Sequence, residues 1–251
     1  MYDKIEFFKS YFSRATEKRI LIQSLDVRFN QLKTNASILD LGCNDGALVR
    51  TIVQQYQNRI PDKLTLIGVD PSATAIEKFL AYDVASNHSV QAFNGTAEDY
   101  FASHSHFFDW IFASQCLYWS PDLQDIISAI HRNSDSALIV LRDKKGIFEI
   151  QSYFKDVLGN KAEQLYSADD IEMALKAQNI PFNKEYHQTY IELPHQDEQE
   201  YYWLIAFFLQ LDDEELSPTL GVKVKEFITQ RAIANRLQHD VVFFWLGKAV
   251  H

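Results

Sequence analysis

The sequence predicts an α/β fold: a doubly wound, mostly parallel sheet of seven strands, with an added helical region over one end. Three observations predict it. Short apolar runs recur along the chain, amphipathic helical stretches separate them, and the first run ends in an acid followed by two glycines. The right-handed crossover rule then fixes most of the topology.

Residues 4–30 read as one helix, because Phe7, Phe8, Tyr11 and Phe12 follow the i, i+3, i+4 spacing of a single apolar face. Ser37 to Leu41 is a buried strand running into a turn, and Ala47 to Tyr56 a helix. Leu64 to Val69 is the second strand. Ser72 is placed to cap a helix over Ala73 to Asp83. Ser89 to Phe93, Asp109 to Ala113 and Ala137 to Leu141 are further strands, with a helix from Pro121 to Arg132. Residues 146–180 look helical, with SADD at 167–170 opening a helix that stops before Pro181. Phe182 to Leu193 alternates and reads as a strand. Gln196 to Leu211 and Val222 to Asn235 read as helices, and Asp240 to Leu246 as a last buried strand. With no linker in view, the chain reads as one structural domain in four parts. These are an N-terminal helical cap (1–33), a ligand-binding core (34–145), a helical covering region with one strand (146–236), and the final strand (237–251).

The 251 residues suffice for one large core. A net charge of −10, with no dense Lys/Arg run, argues against nucleic acid as a partner. The longest apolar run, Tyr201 to Leu209, is far short of the roughly 20 residues of a membrane span, so no membrane partner is expected. The two cysteines, Cys43 and Cys116, cannot build a disulfide framework and lack metal-ligand spacing. The first residues carry charges where a signal peptide would be apolar. A reduced, cytoplasmic setting without a metal fits, and monomer and dimer stay open.

The most informative stretch is ILDLGCNDGAL, Ile38 to Leu48. Asp40 stands near the strand end, and Gly42, Asn44 and Gly46 form the corner before a helix. Glycines allow a sharp turn and close backbone approach to a ligand. The dinucleotide spacing G-x-G-x-x-G is absent, and Asp45 would repel a phosphate. A zwitterion carrying a sulfonium tolerates an acid there, so the pattern favours S-adenosylmethionine over a nicotinamide or flavin dinucleotide. Asp70, followed by Pro71, closes the second strand about 20 residues beyond the glycines, where an acid accepts ribose hydroxyls. Ala97, Glu98 and Asp99 follow the third strand, at the expected adenine edge, and Ser114 and Gln115 follow the fourth.

In that order, ILDLGCNDGAL, GVDPS, NGTAEDY and DWIFASQCLYW resemble the class I S-adenosylmethionine-dependent methyltransferases. Asn44 stands where a middle glycine is usual, and asparagine tolerates left-handed backbone. RATEKR, DPSATAIEKF, SQCLYW and LYSADDIEMAL extend the likeness along the chain, toward the histamine N-methyltransferases.

The resemblance implies a Rossmann-like core, methyl transfer from S-adenosylmethionine to a small molecule, and S-adenosylhomocysteine as product. It implies that Glu17 and Gln115 hold the acceptor, with a third contact just before the last strand. That position reads Asp240, or His239 if the register slips by one. Phe8, Tyr11, Tyr118 and Trp119 would wall the pocket. Glu17, Asp240 or His239 would act as base or relay for an ammonium, whereas a neutral imidazole, with a pKa near ~6.5, needs little help.

Without the resemblance, Glu17 is a solvated helix acid, Gln115 a strand-end side chain, Tyr118 and Trp119 plain core, and His239 a surface residue. The other readings are an O- or C-methyltransferase of a natural-product intermediate, and a cofactor-binding regulatory protein without turnover. A nicotinamide oxidoreductase is opposed by the glycine spacing.

Overall fold

The computed structural model describes residues 5–29, 32–81, 88–118, 120–159, 165–195, 197–212 and 214–248. Two helices open it, α1 (Ile5–Phe12) and α2 (Glu17–Ser24). The core follows as β1 (Ala36–Leu41), α3 (Ala47–Gln55), β2 (Leu64–Asp70), α4 (Ala73–Leu80), β3 (Ser89–Asn94), α5 (Ala97–Ser103), β4 (Phe108–Ser114), α6 (Leu123–Arg132) and β5 (Ser134–Arg142). After it come α7 (Ile147–Tyr153), α8 (Lys155–Leu158), α9 (Ala168–Ala177), β6 (Phe182–His187), β7 (Tyr190–Glu192), α10 (Glu198–Leu209), α11 (Pro218–Arg231), β8 (Arg236–Gln238) and β9 (Val241–Gly247).

Seven strands form one sheet in the order β3-β2-β1-β4-β5-β9-β6. The five core strands are parallel, and β9 runs antiparallel to both β5 and β6. The expected doubly wound, seven-stranded architecture is therefore present. Its strand order reverses between β1 and β4, and the crevice at their carboxyl ends is where such sheets bind ligands.

Alternation along the strands builds two cores. Leu39, Leu41, Ile67, Val69, Ile111 and Phe244 pack on one face with α6 and α9. Ile38, Leu66, Trp110, Phe112, Phe243 and Trp245 pack on the other with α2 and α3. A third cluster joins α1, α7, α10 and α11 with β7 and β8 beside the sheet. Among the described residues no helix is long and apolar enough to cross a membrane.

The structure corrects several expected elements. The single helix over 4–30 is broken, because the carbonyl of Tyr11 accepts from both Arg14 and Ala15 and turns the chain. Ala15 then bridges to Ile191, while Thr16 exchanges hydrogen bonds with Tyr190. The strand expected over Phe182 to Leu193 is two. β6 ends at His187, and β7 leaves the main sheet to pair with β8.

Thr189 fixes the crossing: its amide donates to Asp240 Oδ1 at 3.3 Å, and its hydroxyl to the His239 carbonyl. Helix α5 was not anticipated; Thr96 and Asp99 close a capping box at its start. Helix α11 starts four residues earlier than expected, with Ser217 as cap and Pro218 in the first turn. The expected ends Tyr82–Asp83 and Gln196, and residues 160–164, lie outside the described residues.

Candidate active site

The corner after β1 is held by β2. The amides of Gly42 and Cys43 both donate to the Val69 carbonyl, at 2.8 and 3.1 Å. Asn44 donates its amide to Asp70 Oδ2 at 2.9 Å, and Ser72 donates to Asp70 Oδ1 at 2.9 Å. Gly42, Asn44 and Gly46 all have positive φ, of 64°, 49° and 80°. A Cβ on Gly42 would sit 2.3 Å from Cys116 Cβ, so only glycine fits there. Gly46 shapes the turn and stands at the N-cap of α3.

One cavity runs from this corner to the aromatic cover. Asp40, Gly42, Asn44, Asp70, Pro71, Ala97, Glu98, Ser114 and Gln115 line one part, and Phe8, Tyr11, Glu17, Tyr118, Phe207 and His239 line the other. Gly46 is absent from its lining, and Asp99 is engaged in the α5 cap. Trp119 lies outside the described residues. Glu98 accepts from the Ser120 hydroxyl at 2.5 Å.

At the inner end Glu17 is 2% exposed. Its Oε2 accepts from Gln115 Nε2 at 2.8 Å and lies 3.5 Å from His239 Nε2. Gln115 holds φ at 56°, a conformation uncommon outside glycine, and its side-chain amide reaches Glu17 in the site. The Tyr11 hydroxyl lies 3.4 Å from His239 Nε2, and its ring stacks on Phe207 at 4.5 Å. Burial opposes the charge of Glu17. The His239 hydrogen bond, the nearby Lys18 and the Tyr11 hydroxyl outweigh burial and bring its pKa to about 2.

At this end the solvated reading of Glu17 and the surface reading of His239 fail, as does the cavity role expected of Asp240. His239 is not a surface residue: it is 1% exposed and reaches the cavity. Asp240, 0% exposed, does not line it. The Asp240 carboxylate accepts from Tyr186, from Gln238 Nε2 at 2.6 Å and from the Thr189 amide, so it fastens the strand crossing. Successive side chains of an extended segment point to opposite sides, and the register puts His239 inward.

Two cations were missed. Lys18 lines the cavity and donates to Ser114 Oγ at 2.7 Å. Arg142, 2% exposed at the end of β5, also lines it and stacks on Tyr118 at 4.3 Å. The signal for Arg142 was a charged residue closing an apolar strand at the carboxyl edge of the sheet.

Residues 13–204 match the family described as methyltransferase domain. The chain belongs to that family. No curated protein sequence matches it. Among solved structures it resembles a protein assigned as a sarcosine dimethylglycine methyltransferase from Galdieria sulphuraria, at 15% identity and TM-score 0.56, covering 92% of this chain and 86% of that one. It also resembles a plantazolicin methyltransferase bound to S-adenosylhomocysteine, at 16% identity and TM-score 0.54, covering 98% and 90%. A mycolic acid cyclopropane synthase, also holding S-adenosylhomocysteine, matches at 16% identity and TM-score 0.60, covering 98% and 95%. At such identities the likeness is one of fold.

This methyltransferase has the class I fold, takes its methyl group from S-adenosylmethionine and leaves S-adenosylhomocysteine. Its residues fit that cofactor. Asp40 is buried with Oδ2 unpartnered, Asp45 and Asp70 line the same end, and the glycine corner brings backbone close. A cationic ligand suits these acids, and a pyrophosphate does not.

Burial, with a smaller push from Asp70 and against the pull of Lys18, raises Asp40 to about 7. Below that pH the free protein holds a proton there, and the α-ammonium group, the cation that S-adenosylhomocysteine keeps, favours the ionised form. Affinity for S-adenosylhomocysteine is therefore expected to fall by about tenfold per unit from pH 7 down to about 5, the linkage of one proton. Calorimetry across that range checks this. Asp40→Asn should flatten the slope, and a flat wild-type profile would remove Asp40 from the cofactor contacts.

Proposed function

We propose that this methyltransferase transfers the methyl group to a nitrogen, amine or imidazole, of a small molecule. The observation that carries the reading is the buried Gln115–Glu17–His239 cluster in the same cavity as the glycine corner. Glu17 lines the cavity, and its Oε1, 3.8 Å from Lys18 Nζ, has no hydrogen-bond partner, which leaves it able to accept an N–H.

Asp40, Gly42, Asn44, Asp70, Pro71, Ala97, Glu98, Ser114 and Gln115 form the cofactor wall, with Gly46 setting its turn. Phe8, Tyr11 and Tyr118 wall the acceptor and exclude water. The sulfonium supplies an electrophilic methyl group. Glu17 and Gln115 orient the acceptor nitrogen, since alignment at about 3–3.5 Å lowers most of the barrier. Where the acceptor is an ammonium, His239 takes up its proton, and the Glu17 anion 3.5 Å away stabilises the imidazolium that forms. The N-terminal helices and the 146–236 region act as the acceptor cover over the 34–145 core. The free thiols Cys43 and Cys116 suit a reducing, cytoplasmic setting.

The test is transfer from labelled S-adenosylmethionine to a panel of small amines, imidazoles, phenols and carbon acids, with the product located by mass spectrometry. A methyl group on nitrogen is expected. Transfer only to oxygen or carbon, or to none of the panel despite cofactor binding, would overturn the reading.

A further inference from the structure

Arg142 lines the cavity and has no role in holding an amine or imidazole acceptor. Its guanidinium is buried, with Nε and Nη2 lacking any hydrogen-bond partner. Among the described residues it makes no ion pair. Burial lowers its pKa to about 10, so it is charged at neutral pH. Stacking on Tyr118 occupies one face of the group and leaves the edge free. A buried charge without hydrogen-bond partners is costly, and this one borders a ligand cavity.

The free edge is specific. Nε–H and Nη2–H lie parallel, the arrangement that receives both oxygens of a carboxylate. Its neighbourhood is the acceptor side. The ionisable groups whose fields reach Arg142 are Tyr118, Tyr11 and Glu17, whereas Lys18 is the cation whose field reaches Asp40 at the glycine corner. Register agrees: Ser114, the last residue of β4, pairs with Val140, so Arg142 lies two residues beyond the end of β4. A doubly charged phosphate would meet the nearby Glu17 anion, and a single carboxylate suits the site better.

We infer that the methyl acceptor carries a carboxylate, held on the Nε–Nη2 edge of Arg142, with its reacting nitrogen toward Glu17. The acceptor is thus of the amino-acid class, bound at both charges. This inference rests on the acceptor chamber proposed above.

The test uses the protein loaded with S-adenosylhomocysteine, titrated calorimetrically with matched pairs: histidine and histamine, tyrosine and tyramine, phenylacetate and phenylacetamide. The carboxylate member of at least one pair is expected to bind at least about tenfold tighter than its partner. Arg142→Met should abolish that preference while S-adenosylhomocysteine affinity stays within about twofold. Arg142→Lys keeps the charge without the fork, so it should lose most of the preference and serves if the methionine variant does not fold.

The inference is overturned if no carboxylate binds, if the amine or amide binds as tightly, or if the preference survives in the folded Arg142 variants. Methylation of uncharged-tail amines in a Glu17-dependent way would sink this inference and leave the nitrogen acceptor standing. Failure to bind S-adenosylhomocysteine, or transfer away from nitrogen, would sink the earlier reading instead.

Discussion

Glu17→Gln is expected to lower kcat/KM for the methyl acceptor by about 100-fold or more, with S-adenosylhomocysteine affinity changed by less than about threefold. The substitution keeps the volume of a side chain that is buried at the start of α2. It removes the charge that Gln115 donates to and that His239 and Lys18 surround. With its pKa held at about 2, Glu17 is ionised throughout the neutral range. The lost activity should therefore be equally large from about pH 5 to about pH 8, because no titration of Glu17 intervenes there. Steady-state kinetics at several pH values, with calorimetry on the same variant, separates this from a cofactor defect. A variant that keeps wild-type turnover would place the acceptor elsewhere in the cavity.

Gly42→Ala is expected to weaken S-adenosylhomocysteine binding by more than about tenfold and to cost roughly 1–3 kcal/mol of stability. The new methyl group meets Cys116 Cβ at 2.3 Å, and φ of 64° disfavours any side chain. Both strands carrying the corner are buried, so relief must come from the loop itself. Adding Cys116→Gly removes the collision and leaves the dihedral strain. The double variant should recover part of the stability, and urea denaturation of the set measures the coupling. No recovery would mean that the dihedral alone sets the cost.

The core was legible because physics writes it locally. Strands buried on both faces read as unbroken apolar runs, and the corner after β1 needs glycine or asparagine where φ is positive. The break at Ser13–Thr16 was not legible. The segments on either side carry helical periodicity, and the interruption is set by a bridge to Ile191, far along the chain. The split between β6 and β7 likewise depends on Thr189 meeting His239 and Asp240. His239 and Asp240 are neighbours in sequence, and only the register shows which one turns toward the cavity. Arg142 read as the polar end of a strand, because its unpaired edge is visible only when the surrounding side chains are in place. Glu17 and Gln115, 98 positions apart, were linked by resemblance and meet at 2.8 Å.

The two-stranded ribbon of β7 and β8 has a mechanical consequence. Thr16 and Ala15, just ahead of Glu17, are pinned to Tyr190 and Ile191, and the His239 amide is pinned to the Thr189 carbonyl. Glu17 and His239 therefore hang from one bracket. A displacement of the ribbon would carry both side chains together, against the hydrogen bonds by which Gln115 and Ser114 at the end of β4 hold Glu17 and Lys18. On the proposed assignment of Glu17 and His239 to the acceptor, substitutions in the ribbon are expected to change which molecule receives the methyl group more than they change donor affinity.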